Sequence, residues 1–281
     1  MSPKAPVSLF CALALAACGL QLQEAEQAAP ATDEHGEALY EGYLGLSKLE
    51  FDEGDYRDSD YFAERAMLAG ADQKFEPQLI SARDLPADKL NEMASARRKV
   101  ITAVYRGSVN KLPRVSAEAQ VRFDCWMQEQ EENFQPDDIA ACRDGFETAM
   151  KRIDAAFVPG EPFRGVTDDR LVFDVFFDFD KDELSAVAKD HLAAIAEITR
   201  SYEKPVVTVL GNADQVGATD YNLDLSQRRA KAVAKELEAN GITPDAVLAR
   251  GDQAPSVANP ERAPEAMNRR ALIVVREATP N

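Results

Sequence analysis

Two oppositely charged side chains lie in the segment GNADQVGATDYNLDLSQRRA, residues 211–230. Asp214 follows an apolar, β-branched run that predicts a strand, and Arg229 lies within an amphipathic run that predicts a helix. A fixed carboxylate suits an ammonium group, whereas a planar guanidinium donates two hydrogen bonds to a carboxylate. If a strand-to-helix turn brings the two together, they form either a ligand-binding site or a salt bridge that shapes the turn.

The elements that must position this pair alternate between strand and helix. Four strands are predicted from the runs LVFDVFFDF, KPVVTVLG, AVLARG and NRRALIVVRE. One helix is predicted after an N-cap at Ser185, and a longer one over TDYNLDLSQRRAKAVAKELEANG ends at Gly241. Strands separated by helices imply an α/β layer in which the helices pack on the sheet.

Three motifs occur in order within residues 171–279, namely VFFDFDKDELS, GNADQVGATDYNLDLSQRRAKAV and NRRALIVV. Together they resemble the OmpA C-terminal-like domain, the module of peptidoglycan-associated lipoproteins. The resemblance implies a sandwich with a mixed sheet of βαβαβ type plus a last strand. It also implies a protein that is not an enzyme and that binds peptidoglycan non-covalently, through the diaminopimelate of the stem peptide.

The resemblance assigns roles to individual residues. Asp214 would hold the ammonium of the free zwitterionic end of diaminopimelate, and Arg229 its carboxylate. Further site residues implied by the resemblance are Phe179, Asp180, Leu225 and Asn222, the last ordering the loop. Asn268 and Arg269 match a family hallmark that we interpret as mainly structural.

One position departs from the family pattern. The His-Thr that usually precedes the aspartate is replaced by Asn212-Ala213. Asn212 can still donate and accept hydrogen bonds, but Ala213 has no side-chain polar atom. The departure therefore bears on how Asp214 is oriented.

The region before this domain is predicted to be helical over residues 38–157, with a Pro- and Gly-containing linker at 158–170. Cys125 and Cys142 lie on either side of a predicted turn at Asn133–Pro136. An antiparallel helical hairpin would bring them together, so a disulfide is predicted, the alternative being two small buried core residues. The predicted fold class is thus α+β, an all-α domain followed by a mixed-sheet sandwich.

The first residues have the form of an export signal. Lys4 precedes an apolar run that is too short to span a bilayer, and the run ends in LAAC, Leu15–Cys18. This ending resembles the bacterial lipobox, which implies a signal peptide at 1–17 and lipid on Cys18. Gly19 after the cysteine favours the outer membrane. Residues 18–37 are polar and Ala-rich, which predicts a tether.

Composition narrows the possible functions. A net charge of −17 argues against nucleic acid as a partner. No cysteines and histidines have zinc-ligand spacing, and DFDKDE lacks the glycine of a calcium loop at Glu183, so no metal is expected. A glycosidase built on Asp214, Asp220 or Asp224 is disfavoured, because nothing marks one of them as a general acid.

The sequence therefore predicts an outer-membrane lipoprotein that faces the periplasm, needs no cofactor and tethers the membrane to the cell wall. The alternative is a scaffold, in which the helical domain recruits a periplasmic protein and the C-terminal domain only localises it.

Overall fold

The computed structural model describes residues 20–157, 170–200 and 202–278. The predicted signal peptide, the lipidation site Cys18 and nearly all of the linker lie outside these ranges. The α+β fold class is confirmed: a helical domain is followed by a domain with a four-stranded mixed sheet. None of the helices in the described ranges combines the length and apolar character needed to cross a membrane.

The helical domain is built around antiparallel hairpins. Its helices are α1 (Leu20–Gln27), α2 (Glu34–Glu53), α3 (Tyr56–Gly70), α4 (Leu90–Tyr105), α5 (Ser108–Lys111), α6 (Pro113–Glu132) and α7 (Pro136–Ala155). Gly54 ends α2 in the left-handed conformation with a φ of 89°, and the side chain of Asp55 caps α3. Large buried side chains fill the centre, among them Tyr43, Phe62, Phe123 and Phe146.

The prediction of a tether over residues 18–37 is wrong for the described part of that segment. Residues 20–27 form α1, and α2 already begins at Glu34. Ala25 is completely buried, Leu22 is nearly so, and the hydroxyl of Tyr40 donates to the carbonyl of Ala25 at 2.8 Å. Two buried side chains, Leu22 and Ala25, dock this two-turn helix, although they do not make a recognisable apolar stripe.

A disulfide joins Cys125 of α6 to Cys142 of α7, with 5.7 Å between their Cα atoms. The connection between the two helices is short, with Asn133 in the left-handed conformation and Pro136 opening α7. This is the helix–turn–helix arrangement that the sequence predicts. The disulfide therefore fixes α7 against α6 two turns before α6 ends.

The C-terminal domain packs two helices on its sheet. Strands β1 (Arg170–Phe176), β2 (Pro205–Gly211), β3 (Ala246–Ala249) and β4 (Arg270–Glu277) have the order β1-β4-β2-β3. β4 is antiparallel to both of its neighbours, and β3 is parallel to β2. The helices are α8 (Ala186–Thr199), capped by Ser185 as predicted, and α9 (Thr219–Ala239).

Helix α4 of the helical domain covers the outer edge of β1. The side-chain amide of Asn91 pairs with both backbone groups of Phe176, as a neighbouring strand would, at 3.0 Å each. Nε of Arg98 donates to Nδ1 of the buried His191 on α8 at 3.1 Å, and Ile101 joins the core of the C-terminal domain. The two Asn91 bonds satisfy backbone groups that an open sheet edge would leave unpaired, and the other two contacts join side chains of the two domains.

Candidate functional site

Three loops converge at one edge of the sheet. Because β4 runs antiparallel between β1 and β2, the ends of β1, β2 and β3 and the start of β4 lie at the same edge. The loops at residues 177–185, 212–218 and 250–269 therefore meet there, next to the first turn of α9. The predicted site residues lie in these loops or on the face of α9 that packs against them.

Arg229 lies at the centre of the site, completely buried. Its guanidinium donates to the carbonyls of Lys181 (Nε, 2.8 Å), Asn212 (Nη1, 3.1 Å) and Asp178 (Nη2, 3.2 Å). These bonds use three of its five N–H donors and link two of the loops to α9. Arg229 is thus a positioning residue for the loops, whatever else it binds.

Close packing of α9 on β2 makes this reach possible. A Cβ atom at Gly211 would lie 2.0 Å from the carbonyl oxygen of Ser226, so glycine is required at the end of β2. Burial lowers the pKa of Arg229 to about 10, against the opposing effect of the nearby Asp214 carboxylate. The group therefore stays cationic at neutral pH.

Asp214 does not form an ion pair with Arg229. Its Oδ2 instead lies 3.4 Å from Nη1 of Arg269, and both side chains are buried. Nε of Arg269 also donates to the carbonyl of Phe177 at 3.2 Å. The salt bridge considered from the sequence is thus replaced by a different one, in which Arg269 holds the carboxylate.

Arg269 is the residue of this site that sequence reasoning missed. We interpreted it as structural, together with Asn268, which does hold the backbone of Ser256 and Val257. Its position offered one clue: it immediately precedes β4. A strand that runs antiparallel to β1 and β2 must begin at the edge where those strands end, and so beside Asp214.

An exposed aromatic rim surrounds the buried charges. Phe179 is 51% exposed, and the Arg269 guanidinium lies 5.9 Å from its ring centroid. Asp180 has a positive φ of 57° and accepts a hydrogen bond from the hydroxyl of Tyr221. Phe179 and Asp180 are therefore accessible to a ligand at the loop edge, as the resemblance implies.

Leu225 and Asn222 lie beneath this rim. Leu225 is 3% exposed, and Asn222 is 1% exposed with its Nδ2 donating to Asp252 at 3.2 Å. Both are on α9, one and two turns before Arg229. They support the loops and the helix start rather than presenting polar atoms to solvent.

The Asn212-Ala213 variation lies in the buried floor of the site. Nδ2 of Asn212 donates back to the carbonyl of Leu210 at 3.1 Å, while its Oδ1 is buried and accepts no bond from any described residue. Ala213 is 2% exposed, and its amide donates to the carbonyl of Gly251. The backbone therefore holds the loop, and neither side chain bonds the Asp214 carboxylate.

Comparison with known proteins identifies the family of the C-terminal domain. Residues 176–271 match the model of the OmpA family. Outer membrane protein A of Bordetella avium is 34% identical over 110 residues, which are 38% of this chain and 57% of the relative. Peptidoglycan-associated lipoprotein of Pasteurella multocida (strain Pm70) is 35% identical over 101 residues, which are 35% of this chain and 67% of the relative.

Among solved structures, the peptidoglycan-associated lipoprotein of Burkholderia pseudomallei is similar over 37% of this chain and 89% of its own. The identity is 32% and the TM-score 0.33. The alignments to outer membrane protein A and to outer membrane porin F of Pseudomonas fluorescens span 57% and 32% of those relatives. Through its C-terminal domain, the chain belongs to the OmpA family.

Proposed function

We propose that the C-terminal domain binds peptidoglycan non-covalently, at the free end of diaminopimelate in the stem peptide. The observation that carries the proposal is the convergence of Asp214, Arg229 and Arg269 at one loop edge of an OmpA-family domain. Relatives with this domain include proteins named peptidoglycan-associated lipoprotein, and one solved relative is described as a cell wall anchor.

Each charge of the ligand has a counterpart in the site. The ammonium would be held by Asp214, and the carboxylate by Arg229. Three bonds to backbone carbonyls leave Arg229 one N–H on each terminal nitrogen, the number that a bidentate carboxylate accepts. Arg229 is fully buried, so side chains at the loop edge would have to shift before a ligand reaches it, while its bonds to the three carbonyls are kept.

The neighbouring groups would complete the recognition. Arg269 holds the Asp214 carboxylate in place, and the exposed ring of Phe179 and the carboxylate of Asp180 line the entrance. Leu225 and Asn222 fix the helix from which Arg229 extends. On this account the domain is a binding module and not an enzyme.

The anchoring part of the proposal rests on the first residues. Lipid on Cys18 would hold the chain in the outer membrane, facing the periplasm, while the C-terminal domain holds the wall. A single contact of modest affinity is sufficient for such a tether, because the local density of stem peptides is high. Recruitment of a periplasmic protein by the helical domain stays the alternative prediction.

Sedimentation with purified sacculi tests the proposal. We expect the parent to sediment, and Asp214→Asn and Arg229→Lys to stay largely in the supernatant. The matched controls are Asp224→Asn and Arg228→Lys, exposed residues on the same helix, which should sediment as the parent does. If a folded Asp214→Asn variant sediments like the parent, the site assignment is wrong.

A further inference from the structure

A second group of carboxylates lies far from this site, at one end of the helical domain. One oxygen each from Glu50, Asp55 and Glu132 lie within 4.8 Å of one another. They come from the end of α2, the cap of α3 and the last residue of α6. The sequence offered no sign of this grouping, because only the packing of α6 against the α2–α3 hairpin brings the three together.

The surroundings do not neutralise these carboxylates. No lysine, arginine or histidine in the described ranges forms an ion pair with any of the three, and the nearby Arg83 is taken by Asp58 and Glu131. A buried charge is normally paired, protonated or bound to a metal. Glu50 is 4% exposed, so the cost of leaving it unpaired is substantial.

Glu129 is an independent indication of a missing cation. It lies one turn before Glu132 on α6, is 8% exposed, and its Oε2 accepts no hydrogen bond from any described residue. It directly follows Gln128, whose side-chain amide donates to both Glu50 and Glu132, so it lies next to the same cluster.

The helix ends add to the negative potential. Glu50 lies in the last turn of α2, and Glu129 and Glu132 lie in the last turn of α6, with no basic residue in either turn. Carboxylates are disfavoured at helix C-termini because the helix dipole is negative there. The negative ends of α2 and α6 therefore meet, and each carries a carboxylate at the point of contact.

We propose that Glu50, Asp55 and Glu132, with Glu129 beside them, bind a calcium ion that joins the α2–α3 turn to the end of α6. Calcium takes oxygen ligands at about 2.3–2.6 Å, so oxygens on opposite sides of the ion are separated by about 4.6–5.2 Å. Three oxygens that all lie within 4.8 Å of one another are close enough to share one ion of this size. Magnesium, with ligands at about 2.0–2.1 Å, requires closer oxygens or intervening water.

Existing hydrogen bonds already orient the ligands. Nε2 of Gln128 donates to Glu50 Oε2 at 3.2 Å and to Glu132 Oε1 at 2.9 Å. Asp55 uses Oδ1 to cap α3 and keeps Oδ2 for a ligand. The left-handed turn at Gly54 holds Asp55 close to the end of α2. Binding would therefore fasten three helices at one point.

The test is thermal unfolding of the chelator-treated full chain, followed by circular dichroism while CaCl2 is added. We expect a saturable rise in Tm of roughly 5–10 °C at a concentration 100-fold above Kd. MgCl2 should give a smaller rise, and NaCl at equal ionic strength none. Glu50→Gln and Glu132→Gln should lose the calcium response, whereas the exposed control Glu238→Gln should keep it.

Both glutamine variants should fold, since they keep the shape of the side chain and remove a repulsion; far-UV circular dichroism checks this. The proposal is overturned if calcium gives the parent no saturable rise. It is also overturned if sodium matches calcium at equal ionic strength, or if both folded variants respond to calcium as Glu238→Gln does.

Discussion

The loop site of the C-terminal domain and the acidic end of the helical domain both bury charge, but only the first neutralises it internally. Arg229 has three carbonyl partners and Asp214 has Arg269. Glu50 has one amide partner, Glu129 has none among the described residues, and neither has a cation. A satisfied buried charge builds a framework, whereas an unsatisfied one indicates a missing ligand.

Removing the satisfied charge should have the largest effect on stability. In Arg229→Met, three buried carbonyls lose their donor and the Asp214 carboxylate loses a nearby cation. We expect a loss of about 3–5 kcal/mol in the free energy of unfolding, measured by urea denaturation. Arg228→Met is the control, because that side chain is exposed and should change stability by less than about 0.5 kcal/mol. Equal losses of unfolding free energy in the two variants would show that Arg229 does not hold the loops in place.

The disulfide should compensate for repulsion at the acidic end. Cys125 lies one turn before Glu129, and the bond closes a loop with a sequence separation of 17. Replacing both cysteines with serine should cost about 3 kcal/mol by chain entropy. Urea unfolding with and without reductant measures this. If the parent has the same midpoint in both conditions, the cross-link contributes nothing to stability.

The contact between the two domains should weaken in acid. Burial, and then the charge of Arg98, lower the pKa of His191 to about 3 from 6.5. Between these values the unfolded chain binds the extra proton, so stability falls as pH falls from 6.5 toward 3, by at most about 1.4 kcal/mol per pH unit. Urea midpoints at several pH values measure the slope. His191→Gln should flatten it; an unchanged slope would rule out this group as the cause.

The smallest effect on stability is expected at the two buried glutamates of the helical domain, Glu50 and Glu129. In chelator, Glu50→Gln and Glu129→Gln should leave stability unchanged or raise it by less than about 1 kcal/mol, because each removes a repelling charge. Urea unfolding in excess EDTA provides the measurement. A loss of 2 kcal/mol or more in either variant would show that these charges are already stabilised within the protein.

The sequence predicts the parts of this structure that depend on local patterns. The alternation of strands and helices predicted the C-terminal fold, and the N-cap at Ser185 predicted the start of α8. The turn after α6 predicted the pairing of the two cysteines. The docking of α1 was missed because Leu22 and Ala25 make too small an apolar pattern. The role of Arg269 was missed because it meets Asp214 only through the packing of the strands. The acidic cluster was missed because Glu50 and Glu132 lie on helices that are brought together only by tertiary packing.

The role of Asp214 and Arg229 is the central claim, and calorimetric titration with stem peptides tests it most directly. A peptide with diaminopimelate at its third position offers the free ammonium and carboxylate on one carbon, whereas the same peptide with lysine there lacks that carboxylate. We predict saturable binding of the diaminopimelate peptide, at least tenfold weaker binding of the lysine peptide, and loss of binding in Asp214→Asn. Equal affinity for the two peptides, or unchanged binding by Asp214→Asn, would contradict the account.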